Sequence, residues 1–209
     1  MTVEITKRQY RMTRRAELEQ ATRRRITESA VELHGTVGPS RTSLSAVAAR
    51  AGVRRSTLYR HFQDEEALFA ACTAHWVAAN PHPDIAPWVA IADPNTRLRT
   101  GLSDLYAYYR RTEGMLANVI RDEATMPIVR RMLTFYRTYI AQAAETMLRG
   151  RRESGLARRR VRAAIGLALA FATWRSLARE QNLSDVQAAE LMCRLVGVAA
   201  EQTPGFAQA

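Results

Sequence analysis

The side chains best suited to bind another molecule are concentrated between Arg54 and His61. Nearly all of them are hydrogen-bond donors, and the only large apolar residues beside them are Leu58 and Phe62. Arginine can bind guanine edges through two hydrogen bonds, and Thr, Tyr and His can hold phosphate oxygens, so this composition suits a helix in the DNA major groove. The candidate DNA-binding residues are Thr42, Ser43, Arg54, Arg55, Ser56, Thr57, Tyr59, Arg60 and His61.

Two short helices packed across a turn would position these donors. The apolar residues from Leu44 to Phe62 are spaced for two short helices rather than one long helix. Gly52 lies at the break, where a left-handed backbone would end the first helix, and Ala48 is small enough for a close crossing. Ser43 can cap the first helix. These features predict a helix-turn-helix, whereas a solvated basic helix is the alternative for the arginines by themselves.

The segment from Ala48 to Leu68, AAxAGVxxSTLYRHFxxxEAL, resembles the signature of the TetR family of one-component transcriptional regulators. The preceding helix of that pattern is matched by Ile26, Ala30, Leu33 and Val37. The specific match extends over Arg23 to Cys72, and the remainder of the chain is similar only in length and helical pattern. The resemblance implies a homodimer with an amino-terminal DNA-binding domain and a carboxyl-terminal domain for a small-molecule effector.

Two residues depart from the family pattern. Arg54 stands where the family usually has a serine that caps the recognition helix, and an arginine cannot accept a hydrogen bond from the free amides. Glu65 stands where the family usually has a lysine near a DNA phosphate. The acidic residues 64–66 favour the start of a helix but would repel a phosphate, so we expect one phosphate contact of the family to be missing.

The composition fits a helical, basic protein with a substantial core. The chain has 209 residues, 47% hydrophobic content and a formal charge of +11. Its first 62 residues contain 13 Lys and Arg against five Glu, so the excess charge lies near the motif. Charge by itself does not separate nucleic acid, acidic proteins and anionic membranes as partners. Cys72 and Cys193 are too few for a disulfide framework, which fits a reducing cytoplasm.

Helical spacing throughout, without strand alternation, predicts an all-α protein. We expect a flexible basic arm over residues 1–15, a helix-turn-helix domain over 16–66, and a helical effector and dimerisation domain over 67–209. The first twenty residues show no secretory signal. The longest apolar run, Ala163 to Trp174, spans 12 residues and is too short to cross a bilayer, so no membrane partner is expected.

The last two predicted helices, 158–180 and 184–201, are the candidates for dimerisation. Residues 163–177 are apolar nearly all round, so this helix must be buried on more than one face. They could form only the core of the larger domain, but the resemblance implies that two such helices of each subunit form a four-helix interface. The candidate interface residues are Ile165, Leu169, Phe171, Leu191, Leu195 and Val198.

The middle of the chain is rich in aromatic and Met residues, which are more often core than ligand contacts. An effector, expected to be largely apolar, is implied by the resemblance and not by any motif. The candidate effector-binding residues are Trp88, Tyr106, Tyr109, Met115, Met126, Phe135, Tyr139 and Trp174.

No arrangement of residues predicts catalysis, a metal site or a cofactor. The four histidines are dispersed, and phosphate-binding loops, nucleophile elbows and zinc-peptidase motifs are missing from the sequence. We therefore expect a ligand-responsive regulator without enzymatic activity, most often a repressor in this family. The alternatives left open are an activator, a regulator without a ligand, a helical enzyme with a vestigial DNA-binding module, and a basic scaffold for membranes or proteins.

Overall fold

Helices form the architecture of the residues that the computed structural model describes, 2–201, with side chains described from Gln9. No strand occurs in this range, so the all-α prediction is confirmed. The helices are α1 (Thr2–Thr36), α2 (Leu44–Arg50), α3 (Arg55–His61), α4 (Glu65–Ala79), α5 (Ala86–Ala90), α6 (Pro94–Asp122), α7 (Pro127–Leu148), α8 (Gly155–Leu169), α9 (Phe171–Arg175) and α10 (Asp185–Ala200).

The chain divides into two compact units, and each contains two separate segments. The first unit comprises the chain up to Pro81 together with Gly114–Leu133. The second comprises His82–Glu113 together with the chain from Thr134. The division differs from the domains proposed from sequence, which end the DNA-binding domain at residue 66. The first unit extends further because α4 contributes Leu68 and Cys72 to the core beneath the helix-turn-helix.

One apolar core holds α1 to α4 together in the first unit. The buried side chains come from all four helices and recur at helical spacing, which is why each helix presents one face to the others. The core residues are Ile26, Ala30, Val47, Ala48, Ala51, Leu58, Phe62, Leu68 and Cys72. Burial of a leucine, isoleucine or phenylalanine side chain contributes roughly 1.5–3 kcal/mol, so this core fixes the short helices α2 and α3, which could not be stable alone.

The end of α1 is capped by side chains from the last turns of α6, also within the first unit. Asn118 Nδ2 donates to the carbonyl oxygens of His34 and Gly35, both at 3.0 Å. Asp122 Oδ2 accepts from the backbone N–H of Ser40 at 2.9 Å. Gly114 permits a close approach of the two backbones, since a Cβ at this position would lie only 3.1 Å from the Gly35 carbonyl oxygen. The two Asn118 bonds satisfy carbonyl groups that the end of α1 leaves free, and the Asp122 carboxylate satisfies the Ser40 amide.

The segment expected to be a flexible basic arm is helical in the structure. Residues 2–15 form the first turns of α1, and Met1 lies outside the described residues. The side chains from Gln9 to Ala21 are exposed, so they make no part of the core. Residues 2–34 contain neither glycine nor proline, and nothing in this stretch interrupts a helix once α1 has formed.

The helix predicted over residues 158–180 is broken at Ala170, which has an extended backbone (φ −73°, ψ 132°). The break frees carbonyl groups at the end of α8, and two tyrosines of α6 satisfy them. Tyr106 donates to the Ala168 carbonyl at 2.8 Å, and Tyr109 donates to the Leu169 carbonyl at 2.6 Å. Neither Gly nor Pro marks this break in the sequence, so the break depends on tertiary contacts.

Among the described residues, no single helix has the length and apolar character needed to span a membrane. Within residues 2–201, α8 and the helical stretch from Phe171 to Glu180 reach that length and apolar character when taken together, but the pair is bent by 61°.

Candidate DNA-binding surface

The helix-turn-helix is built by local hydrogen bonds at both ends of α2. Ser43 Oγ accepts from the Ala46 N–H at 3.1 Å and caps the amino terminus. Gly52 has φ +63°, the left-handed conformation that the motif predicts, and the next amide, that of Val53, donates to the Ala48 carbonyl at 3.0 Å. Ala48 is buried beneath the crossing. The predicted turn and cap are confirmed.

Replacing Ser43 with Ala should lower the free energy of unfolding by about 1 kcal/mol, because a helix amide loses its acceptor. Urea denaturation would measure the change. Ser45→Ala is the matched control, since Ser45 is exposed within α2 and Ala is a better helix former than Ser. Equal effects of the two substitutions would contradict the capping role of Ser43.

The outward face of α3 carries four polar side chains. Leu58 and Phe62 are buried, which turns Arg55, Ser56, Tyr59 and Arg60 towards the surface, since residues three and four apart share a helix face. All four are exposed. A face of this kind, seven residues long, can enter the major groove with its side chains at base edges and phosphates.

Arg55 and Tyr59 form a pair on this face. Arg55 Nη2 donates to the Tyr59 hydroxyl oxygen at 3.0 Å, and the guanidinium carbon lies 5.5 Å from the centre of the tyrosine ring. The pair restricts the arginine side chain while leaving further N–H groups available to a base. No carboxylate among the described residues forms an ion pair with Arg54, Arg55 or Arg60. The described part of the chain therefore does not neutralise these arginines.

The residues at the edges of the motif differ in what they can offer. Arg54 occupies the N-cap position of α3 without a side-chain hydrogen bond, so the expected loss of that cap is confirmed. Asp64 caps α4 by accepting from the Ala67 N–H at 2.7 Å. Thr42 already donates its hydroxyl to the Gly38 carbonyl at 2.8 Å. Ser43 uses its oxygen as the α2 cap but keeps its hydroxyl hydrogen.

His61 is half-buried at the end of α3, and its assignment as a phosphate contact stays a prediction. Its Nε2 atom is buried and has no hydrogen-bond partner among the described residues. Burial, followed by the positive charge of Arg60, lowers the pKa of His61, so the ring is held in its neutral form. Thr57 is half-buried as well. Thr57 and His61 therefore lie at the edge of the core.

Arg23 of α1 is a structural residue of the motif that the sequence reasoning missed. Its guanidinium donates to the His61 carbonyl oxygen at the end of α3 and lies 4.1 Å from the centre of the Phe62 ring. This places a positive charge at the carboxyl end of the helix, where the dipole is negative. Arg23 thus ties the recognition helix to α1. In the sequence Arg23 is followed by Arg24 and Arg25, and no sequence feature distinguishes it from these two.

The candidate effector residues do not form one group. Trp88, Tyr106, Tyr109 and Trp174 are fully buried in the second unit and have hydrogen-bond partners there. They are core residues in this structure. Phe135 is 78% exposed. Met115 and Met126 belong to the first unit, with the DNA-binding motif. Tyr139 is the one candidate that combines a half-buried ring with a buried, unpartnered hydroxyl.

The candidate dimer residues divide by helix. Ile165, Leu169 and Phe171 are buried within the second unit, so they cannot reach a partner, and their assignment to the interface is corrected. They are buried because α8 packs against α10 and α9 along that side. The three candidates of α10 are at the surface, with Leu191, Leu195 and Val198 exposed by 38%, 45% and 62%. On α8 the exposed apolar side chains are instead Leu156 and Leu167.

Comparison with known proteins gives one family and a common fold. The sequence model of the bacterial regulatory proteins of the tetR family matches residues 26–72, which include α2 and α3. Comparison with curated protein sequences gives no match.

Several solved structures are similar over most of the chain. A TetR-like transcriptional regulator from Rhodococcus sp. RHA1 has 20% sequence identity and a TM-score of 0.63, covering 86% of this chain and 97% of that one. A tetR-family transcriptional regulator from Streptomyces coelicolor has 16% identity and a TM-score of 0.55, covering 86% and 79%. The transcriptional regulator FadR from Bacillus subtilis, in complex with stearoyl-CoA, has 19% identity and a TM-score of 0.52, covering 84% and 96%.

Proposed function

We propose that the chain is a member of the TetR family of transcriptional regulators, and that it is a repressor that binds a near-palindromic operator as a homodimer and is released by a small molecule. The proposal includes no catalytic step and no cofactor. The observation that carries the DNA-binding part is the outward face of α3, where Arg55, Ser56, Tyr59 and Arg60 are exposed together above a fixed core.

Dimerisation would supply the second recognition helix. Two copies of α3 about one DNA turn apart read two half-sites related by the symmetry of the dimer. The exposed apolar side chains of α8 and α10 support an interface through these helices, because Leu167, Leu195 and Val198 stay at the surface of a single chain. Exposed apolar surface of this kind in a soluble protein often marks an interaction site.

A small molecule would act by binding one conformation better than the other. Release from DNA requires that the effector prefer the conformer whose recognition helices no longer match the half-site spacing, and such coupling is typically about 1–3 kcal/mol. Two elements could transmit the change, since α4 leads out of the DNA-binding core and α6 contributes residues to both units. The FadR complex with stearoyl-CoA supports a small-molecule site in a protein of this fold.

The direct test is to sequence genomic DNA fragments that the purified protein retains at moderate salt. We expect enrichment of a sequence with two inverted half-sites and a steep decrease of affinity with salt concentration. Retention without any sequence preference would contradict the regulator proposal and would favour the basic scaffold. Transcription from the enriched promoter, measured with and without the protein, then separates a repressor from an activator.

Replacing Glu65 with Lys should strengthen DNA binding and steepen the dependence of log K on log salt by about 1, because one phosphate contact is gained. Glu65 is exposed at the start of α4, next to the Asp64 cap. Affinity measured at several salt concentrations gives the slope. Glu190→Lys makes the same charge change at an exposed position of α10 and should leave the slope unaltered. Equal slopes for all three proteins would mean that position 65 does not approach the backbone of DNA.

A further inference from the structure

Two tyrosine hydroxyls in the second unit are buried without a hydrogen-bond partner among the described residues. They belong to Tyr108 of α6 and Tyr139 of α7. Thr112 does not satisfy the first, because its hydroxyl donates to the Tyr108 carbonyl oxygen at 2.6 Å and makes no hydrogen bond of normal geometry with the Tyr108 hydroxyl. A buried hydroxyl without a partner is destabilising, so such groups in a native fold call for an explanation.

The ring of His82 lies against both tyrosines. It stacks on Tyr139 with ring centres 4.6 Å apart and is tilted against Tyr108 at 5.1 Å. Tyr136 completes the group, with its ring centre 6.0 Å from that of His82. We call these four residues, His82, Tyr108, Tyr136 and Tyr139, the aromatic cluster. Stacked or tilted contacts of this kind are favourable beyond the area buried, and a planar aromatic molecule that took the place of the His82 ring would make the same contacts.

The third tyrosine of the aromatic cluster provides an internal contrast. The Tyr136 hydroxyl lies 2.9 Å from that of Tyr109, and Tyr109 donates to the Leu169 carbonyl at 2.6 Å. The hydroxyl of Tyr136 is therefore satisfied by a hydrogen bond within the protein. The hydroxyls of Tyr108 and Tyr139 lack such a bond, so the aromatic cluster contains two buried donors without an acceptor.

The two phenols of the aromatic cluster are donors. Burial raises the pKa of Tyr108 and of Tyr139, so both stay protonated. Charges of both signs lie near them, because the carboxylates of Asp84 and Asp104 act on Tyr139 in the same direction as burial, whereas the Arg111 guanidinium, 5.0 Å from the centre of the Tyr108 ring, acts on Tyr108 in the opposite direction. A ligand at this place therefore has to supply an acceptor oxygen.

We propose that the aromatic cluster is the effector site and that it binds a planar aromatic molecule whose carbonyl oxygen accepts hydrogen bonds from Tyr108 and Tyr139. This rests on the proposed function, in which a small molecule releases the protein from DNA. A site built to donate to a ligand oxygen rejects an analogue that lacks the oxygen, because the buried donors then stay unpaired.

His82 is the residue of the aromatic cluster that lies outside the helices. His82 lies in the proline-rich segment before α5 and is half-buried, so it covers the tyrosines from one side. An open groove of about 540 Å³ in the same unit is lined by Ile85 and Val89 and by Thr138, Ala141 and Gln142 of α7. Tyr139 directly follows Thr138 in the chain, although it does not line the groove itself.

The first test needs no ligand. Tyr139→Phe and Tyr108→Phe should each raise the Tm of the free protein by about 2–4 °C, since each removes an unpaired buried hydroxyl and keeps the ring. Tyr136→Phe is the matched control and should not raise the Tm, because its hydroxyl is bonded to Tyr109. A fall of the Tm in all three variants would overturn the proposal, because it would mean that ordered water or a protein group already satisfies the two hydroxyls.

The second test compares two probes of one shape by isothermal titration calorimetry. The ketone 2-acetylnaphthalene should bind at least about tenfold more tightly than 2-ethylnaphthalene, which lacks the acceptor oxygen. The Tyr108→Phe, Tyr139→Phe double variant should bind the ketone and the hydrocarbon equally. Absence of ketone binding to the wild type, or an unchanged preference in the double variant, would overturn the assignment.

Failure of this proposal is distinguishable from failure of the proposed function. The same preparations are assayed for retention of specific DNA fragments without any probe. If the protein retains specific DNA but does not bind the ketone more tightly than the hydrocarbon, only the proposed effector site is contradicted. If it binds the ketone as expected but shows no sequence preference for DNA, only the proposal that it is a transcriptional regulator is contradicted.

Discussion

Replacing Leu195 with Glu should convert the protein to a monomer and weaken operator binding at least about 100-fold, because the two half-sites are then bound separately. Leu195 is 45% exposed on α10, so a charged side chain there can remain in water in a single chain and should not disturb folding. In a dimer the same charge would be buried in an apolar interface without a partner, which is costly. Sedimentation equilibrium gives the mass, and fluorescence anisotropy gives the affinity for the operator.

Val186→Glu is the control for this substitution. Val186 is also an exposed apolar residue of α10, at 65%, but at 100° per residue it lies on the opposite flank of the helix from Leu191 and Leu195. We expect this variant to remain dimeric with unaltered affinity. If the Leu195→Glu protein stays dimeric and folded, the interface does not include this face of α10, and the proposal for dimerisation through α8 and α10 fails.

Replacing Arg55 with Ala should relax the base preference at one position of each half-site, with a loss of discrimination of about 1–3 kcal/mol. Arg55 is exposed on α3, has no carboxylate partner among the described residues and is steered by its hydrogen bond to Tyr59. Tyr59→Phe keeps the ring but removes the acceptor, so it should broaden the same position to a smaller degree. Sequencing of the fragments retained by each variant measures both effects.

Arg50→Ala is the control for Arg55→Ala, because it removes one positive charge outside α3 and so shows the effect of charge loss alone. Arg50 is an exposed arginine at the end of α2, and its Nε donates to Glu32 at 2.7 Å, so it is held away from the face of α3. Its removal should change affinity, if at all, by the same factor for every DNA sequence. An Arg55→Ala protein with the wild-type consensus would show that α3 does not read bases through this residue.

The sequence by itself determined the DNA-binding motif. Its apolar spacing, Gly52 and Ser43 act through contacts between residues close in the chain, and these local hydrogen bonds and helix positions are the features that short patterns encode. The missing cap at Arg54 could be read in the same way, since capping depends on one side chain and the next amides. The all-helical class followed from periodicity along the whole chain.

Only the tertiary structure decided which of the candidate residues are available to a partner. Sequence gives a helix its apolar side but not the number of neighbours that cover it, so Ile165 and Leu195 look equivalent until α8 packs on α10 and buries only the first. The break at Ala170 has the same origin, because Tyr106 and Tyr109 supply the missing hydrogen bonds from about sixty residues away. Contacts at such separations depend on how the helices pack, and no local pattern records them.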